Sequence, residues 1–177
     1  MKSLTEKTSS AYTALKGPMK YDNPMQSPRL VKVVVSTGVG SLKDKKKLEL
    51  IAERLSKITG QKAAPRGAKK AIASFKSRVG DVVGYQVTLR GNRMLGFLDK
   101  LLNIAFPRTK DFHGLSADAI DAEGNITLGI KEHIIFPETP DEELKDVFGL
   151  AVTIVTTAKT KEEAAAYLRH LGLPFKK

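Results

Sequence analysis

The residues of this sequence that could take part in catalysis are few and form no catalytic motif. The segment STGVGS, residues 36–41, resembles a phosphate-binding turn, but it lacks the GK[ST] ending of a P-loop and the full dinucleotide-binding pattern. His113, His133 and His170 have no metal-ligand spacing, and KEHIIF is not an HExxH motif. No nucleophile is paired with a base in any recognisable motif. The sequence therefore argues against an enzyme and predicts neither a cofactor nor a metal site.

The chemistry that the sequence does favour is the binding of phosphate groups. Residues 65–81, PRGAKKAIASFKSRVGD, contain five basic side chains and a single acid, with Phe75 as the one aromatic residue. Long connections that have no regular element of their own are usually functional or disordered. The basic residues of this segment are Arg66, Lys69, Lys70, Lys76 and Arg78.

Charge is segregated along the chain, which carries a net charge of +11. Residues 29–110 hold 19 basic and 5 acidic side chains, whereas residues 111–149 hold 2 basic and 10 acidic ones. A basic body predicts a polyanionic partner, with nucleic acid as the leading candidate. The acidic stretch predicts a second, basic macromolecular partner.

The composition limits the class of protein further. The chain has 177 residues, of which 41% are hydrophobic, and this is enough for one well-buried core. It has no cysteine, which excludes disulfides and thiolate zinc sites. Neither an apolar leader nor a segment long enough to span a membrane is present in the sequence. These features predict a single cytoplasmic domain over residues 1–177, with no membrane association and no homo-oligomer.

The elements that must position these charges alternate between strands and helices. Alternating or β-branched segments predict strands, and apolar residues at helical spacing predict helices. The predicted strands are 29–37, 61–63, 81–91, 124–137 and 150–158, and the predicted helices are 1–16, 42–60, 92–106, 139–149 and 161–171. This pattern indicates an α+β fold with a mostly antiparallel sheet, helices packed on one face and an open polar face. Residues 1–28 are predicted to form an N-terminal helix and an extended connector, and residues 64–81 a mobile basic loop.

The open face of the predicted sheet can be derived from strand alternation. Its side chains are small and polar with a few positive charges, and acids are absent apart from Asp81 at the margin. Aromatic residues are absent too, because Tyr85 falls on the inward side. Without aromatic groups to stack on single-stranded bases, this surface suits double-stranded RNA, which is contacted at 2′-hydroxyls and phosphates.

Several segments resemble the bacterial type of the large-subunit ribosomal protein five family. The matching segments are NPMQSPRLVKVVVSTGVG, KITGQKA, KKAIASFKSRVGDVVGYQVTLRGNRMLGFLDKLL, PRTKDFHGLS, GNITLGIKEHIIFPE and GLAVTIVTTAKT. They run in one collinear order from about residue 21 to residue 177. The resemblance implies a structural component of the large ribosomal subunit that binds 5S rRNA and helps attach it in the central protuberance. It also implies contacts with large-subunit rRNA, with the P-site tRNA and with small-subunit ribosomal protein thirteen.

The family pattern also implies which residues meet each partner. Residues matching the 5S rRNA surface are Lys32, Ser36, Gln61, Thr88, Arg90, Thr127 and Lys131. Residues matching the tRNA-contacting loop are Lys69, Lys70, Phe75, Lys76 and Arg78, and further rRNA contacts are expected at Lys45, Lys46 and Arg93. Ser36 and Thr37 replace the usual Asn-Met of the family, so a contact made by the asparagine would need a bridging water here.

Alternatives to this interpretation remain open at the level of sequence. Phe75 either stacks on a partner or folds back onto the body of the protein. The protein could be a general structured-RNA-binding or RNA-chaperone module that acts through charge alone. A nucleotide-using enzyme built around Gly38 and Gly40 is a third alternative, against which the missing P-loop argues.

Overall fold

The protein has the predicted α+β fold, with a five-stranded sheet and helices. The structure is a computed structural model that describes residues 4–42, 44–110, 112–139 and 147–176. Its strands are β1 (Leu30–Gly38), β2 (Ala64–Gly67), β3 (Val82–Leu89), β4 (Ile126–Ile130) and β5 (Leu150–Thr156). Its helices are α1 (Leu4–Met19), α2 (Lys45–Thr59), α3 (Gly91–Lys100), the single turn α4 (Phe106–Arg108) and α5 (Lys161–Leu171). The strand order in the sheet is β2-β3-β1-β5-β4.

The chain divides into two compact units. The first, called unit one, comprises Met1–Val33, Arg90–Leu128 and Thr153–Lys177. The second, called unit two, comprises Val34–Leu89 and Gly129–Val152.

In unit one, α1 packs against α3 and α5. Three of its apolar residues, Leu4, Ala11 and Leu15, are buried. The Lys7 ammonium donates a hydrogen bond to the Leu171 carbonyl at 3.0 Å, at the end of α5. A cation at this point satisfies an unpaired carbonyl and interacts favourably with the negative end of the helix dipole.

In unit two, α2 packs against β3. Five apolar residues of α2 stand at helical spacing, which places them on one face of the helix. Ile51, Leu55 and Ile58 are buried, and Leu48 and Ala52 are partly buried. The Asp44 carboxylate accepts a hydrogen bond from the Lys46 backbone N–H at 3.0 Å and caps the first turn. Gly60 ends the helix in the left-handed region, at φ 68°, as its glycine predicts.

The predicted strand at 61–63 is wrong, and so is the prediction that the cationic loop begins at residue 64. The strand is β2, at 64–67, and it pairs antiparallel with β3 in the register Ala64 to Gln86 and Arg66 to Gly84. All four of its residues are exposed. Because β2 buries no side chain, it has no hydrophobic alternation from which the sequence could predict it.

The predicted strand at 124–137 is too long, and the alternation expected over that range, which would place His133 on the outward side, is wrong there. Strand β4 ends at Ile130, and a 3-10 turn follows at His133–Ile135. His133 is completely buried and stacks on Phe148 with ring centroids 4.1 Å apart. Burial lowers the pKa of His133, and its Nδ1 accepts a hydrogen bond from the Phe148 backbone N–H at 3.3 Å.

The helices that were predicted to end before Pro18 and Pro107 extend past both prolines. Helix α1 contains Pro18 and ends at Met19, one residue later. Pro107 lies within α4, which follows α3 through a π turn at Leu101–Ala105. Pro107 stands at the second position of α4, directly after the π turn, in a helical run whose backbone is continuous from α3. The predicted helix at 139–149 falls largely on residues 140–146, outside the described residues.

Candidate RNA interface

The second half of strand β3 presents alternate side chains outward as its sequence predicts, whereas Val83 and Tyr85, on the inward side, are only partly buried. Val87 and Leu89 are buried, whereas Gln86 and Thr88 are partly exposed. Arg90 follows at the end of the strand, is exposed, and immediately precedes α3. Gly84 allows β3 to approach β1 closely, since a Cβ at this position would lie 2.9 Å from the Thr37 carbonyl oxygen.

Gln61 lies beside Thr88 although 27 residues separate them. Its amide Nε2 donates to the Thr88 backbone carbonyl at 3.4 Å. The side chain is half-buried just after the end of α2, and the contact fixes its amide against the Thr88 backbone. In unit two the structure therefore brings together two of the predicted 5S rRNA-binding residues.

In strand β1, the two residues that replace the usual Asn-Met of the family differ in exposure. Ser36 belongs to the partly exposed set, together with Lys32 and Val34. Thr37 is buried, and its hydroxyl donates to the Gly149 carbonyl at 2.8 Å. Thr37 therefore satisfies its polar group inside the protein, and only Ser36 is available to a ligand.

In unit one, the outward positions of β4 and β5 form a hydroxyl pair. The Thr127 and Thr153 Oγ1 atoms are 3.0 Å apart. Thr127 is exposed and Thr153 is half-exposed. One hydroxyl of such a pair donates to the other and leaves a second proton free to donate to a ligand. Lys131, which belongs to unit two, is exposed just beyond the end of β4.

Two polar residues on these strands were not among the predicted site residues. Thr153 stands on the outward side of β5, and Gln86 on that of β3. The Gln86 side-chain oxygen accepts from the Arg66 Nε at 2.7 Å, across the β2–β3 pair. Both could have been found from strand alternation alone, because each is polar at an outward position.

The basic segment is a β-hairpin, called here the basic hairpin, that extends β2 and β3 through residues 68–81. Backbone bonds join Ala68 to Asp81 at 2.8 Å and Gly80 to Ala68 at 3.0 Å, and a bridge nearer the tip pairs Ile72 with Ser77. Its predicted contact residues are all exposed, namely Lys69, Lys70, Phe75, Lys76 and Arg78. Phe75 is 75% exposed, so it does not fold back onto the body.

The remaining predicted rRNA contacts stand at helix starts. Lys45 and Lys46 are exposed in the first turn of α2, and Arg93 is exposed in the first turn of α3. Lysines at the positive end of a helix dipole are unfavourable by themselves, and the Asp44 cap offsets part of this. A bound phosphate would offset more.

Features of other protein classes are missing from the part of the chain that the structure describes. These residues contain no cluster of histidine, aspartate and glutamate side chains able to hold a metal ion. None of their helices combines the length and the apolar character needed to cross a membrane.

An α+β fold with an acid-poor strand surface and an exposed basic hairpin defines a small basic protein of the nucleic-acid-binding class. Two family models match it: Ribosomal protein L5 over residues 23–78, and the C-terminus of the same ribosomal protein family over residues 82–175. The chain therefore belongs to the ribosomal protein L5 family.

Individual relatives agree over most of the chain. The large ribosomal subunit protein uL5 of Anaeromyxobacter sp. (strain K) is 49% identical over 157 residues, which is 88% of this chain and 87% of that protein. The protein of the same name from Flavobacterium johnsoniae is 49% identical over 173 residues, 97% of this chain and 94% of its own. That from Rubrobacter xylanophilus is 51% identical over 164 residues, with 92% and 91% covered.

Membership confirms four predictions made from the sequence. The family is the predicted one, and its members are RNA-binding structural components of the large ribosomal subunit that act in translation. They are not enzymes, and they are located in the cytoplasm as part of the ribosome.

Proposed function

We propose that the protein binds 5S rRNA through the outward positions of its strands and helps attach it in the central protuberance of the large subunit. The observation that carries this proposal is the charge of those positions. In the described strands β1, β3, β4 and β5, not one outward side chain is acidic. An ordinary solvated sheet face carries charges of both signs, whereas a surface for polyphosphate excludes acids.

The side chains at these positions suit a folded RNA. Unit two contributes Ser36, Gln61, Thr88 and Lys131, and unit one contributes Lys32, Arg90 and Thr127. Short hydroxyl and amide groups can bind 2′-hydroxyls, while the cations bind phosphates. The absence of aromatic residues from the outward positions of the described strands favours a base-paired segment over unstacked single strands.

Other surfaces are assigned to other partners of the ribosome. The basic hairpin would contact the P-site tRNA, with Phe75 as the group that stacks or anchors there. Lys45, Lys46 and Arg93 would contact large-subunit rRNA, and the acidic region 111–149 would meet small-subunit ribosomal protein thirteen. The whole chain would act as one rRNA-binding domain and as a monomer.

The test is the binding of 5S rRNA in the presence of excess tRNA as a structured competitor. Shape-specific recognition predicts tight binding that survives the competitor. Binding that collapses under competition would instead identify a general RNA-binding or RNA-chaperone module, since charge alone does not distinguish structured RNAs.

A further inference from the structure

A short turn between α1 and β1 holds an apolar side chain out in solvent. Residues Pro24–Gln26 form a 3-10 turn, and Met25 within it is 69% exposed. A large apolar side chain this exposed loses the free energy that burial would supply unless a partner covers it. Single exposed apolar residues are common on protein surfaces, so the surroundings of Met25 decide whether this exposure has a function.

The turn that carries Met25 is held in place at several points. The Asn23 side-chain oxygen accepts from the Met25 N–H at 2.9 Å, and the Gln26 side-chain oxygen accepts from the Asp22 N–H at 3.0 Å. Before the turn, Tyr21 is buried and its hydroxyl donates to the Glu163 carboxylate. After it, Ser27 is buried as well. These contacts fix the conformation of the turn, and Met25 is held on it in an exposed position.

An arginine stands next to this methionine. The Arg29 Nη2 lies 3.7 Å from the Met25 Sδ, so the guanidinium and the thioether form one continuous surface. The Arg29 backbone is fixed on Thr157: its N–H donates to the threonine Oγ1 at 2.9 Å, and its carbonyl accepts from the threonine N–H at 3.0 Å. Within the described part of the chain, Arg29 has no acidic partner.

We propose that Met25 and Arg29 form a further contact site for ribosomal RNA, in which the thioether packs against a ribose or base and the guanidinium binds the adjacent phosphate. An unpaired, exposed guanidinium suits the geometry of a phosphate group, and methionine adapts its shape to an irregular apolar surface. A phosphate also complements the net charge of +11 on the chain. Asp22 precedes the turn, and Glu163 already accepts from Tyr21 and from the Lys159 N–H. This inference rests on the proposed rRNA-binding function and adds to it a surface apart from the strand positions.

The direct test places a photo-crosslinking amino acid at position 25 in the full chain, which is then reconstituted into large ribosomal subunits. The proposal predicts crosslinks to rRNA. Crosslinks to a ribosomal protein only would assign the surface to a protein partner and overturn the proposal. The absence of any crosslink would overturn it as well.

Substitutions test how much Met25 and Arg29 contribute to incorporation into the large subunit. Met25→Ala and Arg29→Ala should each lower incorporation into the large subunit about tenfold in competition with the unaltered protein, because each removes a buried contact at the interface. Arg29→Lys keeps the charge but not the planar fork, so its incorporation should fall between that of Arg29→Ala and that of the unaltered protein. Ile104→Ala serves as the matched control, since Ile104 is an exposed apolar residue of the same unit at 41% exposure.

The outcome for this site can be separated from that for the strand positions. If Arg90→Ala impairs 5S rRNA binding while Met25→Ala and Arg29→Ala compete as well as the unaltered protein, the proposed function stands and this inference fails. If Arg90→Ala binds normally while position 25 crosslinks to rRNA, the assignment of 5S rRNA to the strands fails and this contact stands.

Discussion

Thr88 and Arg90 are the residues at which the proposed 5S rRNA surface can be tested most directly. Thr88→Val removes one hydroxyl at nearly constant volume, and about fivefold weaker binding is expected from the loss of one neutral hydrogen bond. Arg90→Ala removes a charged donor and should weaken binding about 10- to 100-fold. Equilibrium binding to 5S rRNA measures both effects.

Neither change should disturb folding. Arg90 is exposed, and its side chain caps no backbone group of α3. Thermal unfolding of both variants should therefore match the unaltered protein. Normal 5S rRNA binding by both variants would show that the outward side of β3 is not the interface.

His133 gives unit two a pH-dependent stability. Burial lowers the pKa of this histidine, with Arg54 nearby adding to the effect, so the folded state holds it neutral. Protonation would also abolish the acceptor that receives the Phe148 N–H. Because the unfolded chain then binds more protons, the contribution of His133 is complete above the ordinary histidine pKa of about 6.5 and is lost as the pH falls below it.

The expected result is a decrease in the free energy of unfolding between about pH 7.5 and pH 5.5, by at most about 1.4 kcal/mol per pH unit from this one group. Chemical denaturation across that range measures it. His133→Gln should flatten the dependence, whereas His113→Gln, at an exposed position, should leave it unchanged. A steep dependence that persists in His133→Gln would assign the effect to other groups.

At the scale of the element, the basic hairpin is separable from the strands that carry it. The antiparallel pairing continues as far as Ala68 and Gly80, whose backbones are hydrogen-bonded at 3.0 Å. Replacing residues 69–79 by a two-residue turn should therefore keep the β2–β3 register. Affinity for 5S rRNA should change less than about twofold, because exposed contacts contribute little free energy. Binding of P-site tRNA by reconstituted ribosomes should weaken.

The companion variant Phe75→Ala isolates the apolar group at the tip. If stacking of Phe75 anchors the hairpin on tRNA, Phe75→Ala alone should weaken tRNA binding about 5- to 100-fold. This would be part of the loss expected from shortening the hairpin. A shortened hairpin that no longer binds 5S rRNA would contradict the separation of the two surfaces.

At the scale of the whole molecule, the salt dependence of RNA binding distinguishes recognition by a few residues from binding by overall charge. If all of the net charge of +11 engaged phosphates, the logarithm of the binding constant would fall with the logarithm of salt concentration at a slope of about −10. Recognition by a few strand residues predicts a slope well below that magnitude. Titrations of 5S rRNA binding across a salt series measure the slope.

Variants sharpen this measurement. Removing one phosphate contact should reduce the slope by about one, so Lys32→Ala and Arg90→Ala should each lower it by that amount. Thr88→Val should weaken binding without changing the slope, because a hydroxyl releases no counterion. A slope that stays at about −10 and that no single substitution alters would indicate binding by charge alone.

The sequence by itself determined the α+β class, the approximate bounds of most helices and the side on which many of the strand residues lie. Leu4, Ala11 and Leu15, and likewise Val87 and Leu89, are buried as their spacing indicates, because periodicity reports which face of an element leaves water. The predicted family followed from local motifs in collinear order. The resemblance to that family made Lys32, Thr88 and Arg90 candidates before any fold was known.

Only the tertiary structure decided the features that the alternation of side chains does not predict or predicts wrongly. Strand β2 exists because β3 offers it a hydrogen-bonding edge, although none of its side chains is buried. His133 follows a clear strand, yet a 3-10 turn carries it into the core against Phe148. The contacts of Gln61 with Thr88 and of Arg29 with Met25 and Thr157 depend on neighbours that the chain brings together only on folding. Pairing edges and long-range contacts of this kind are properties of the assembled fold, and no local pattern encodes them.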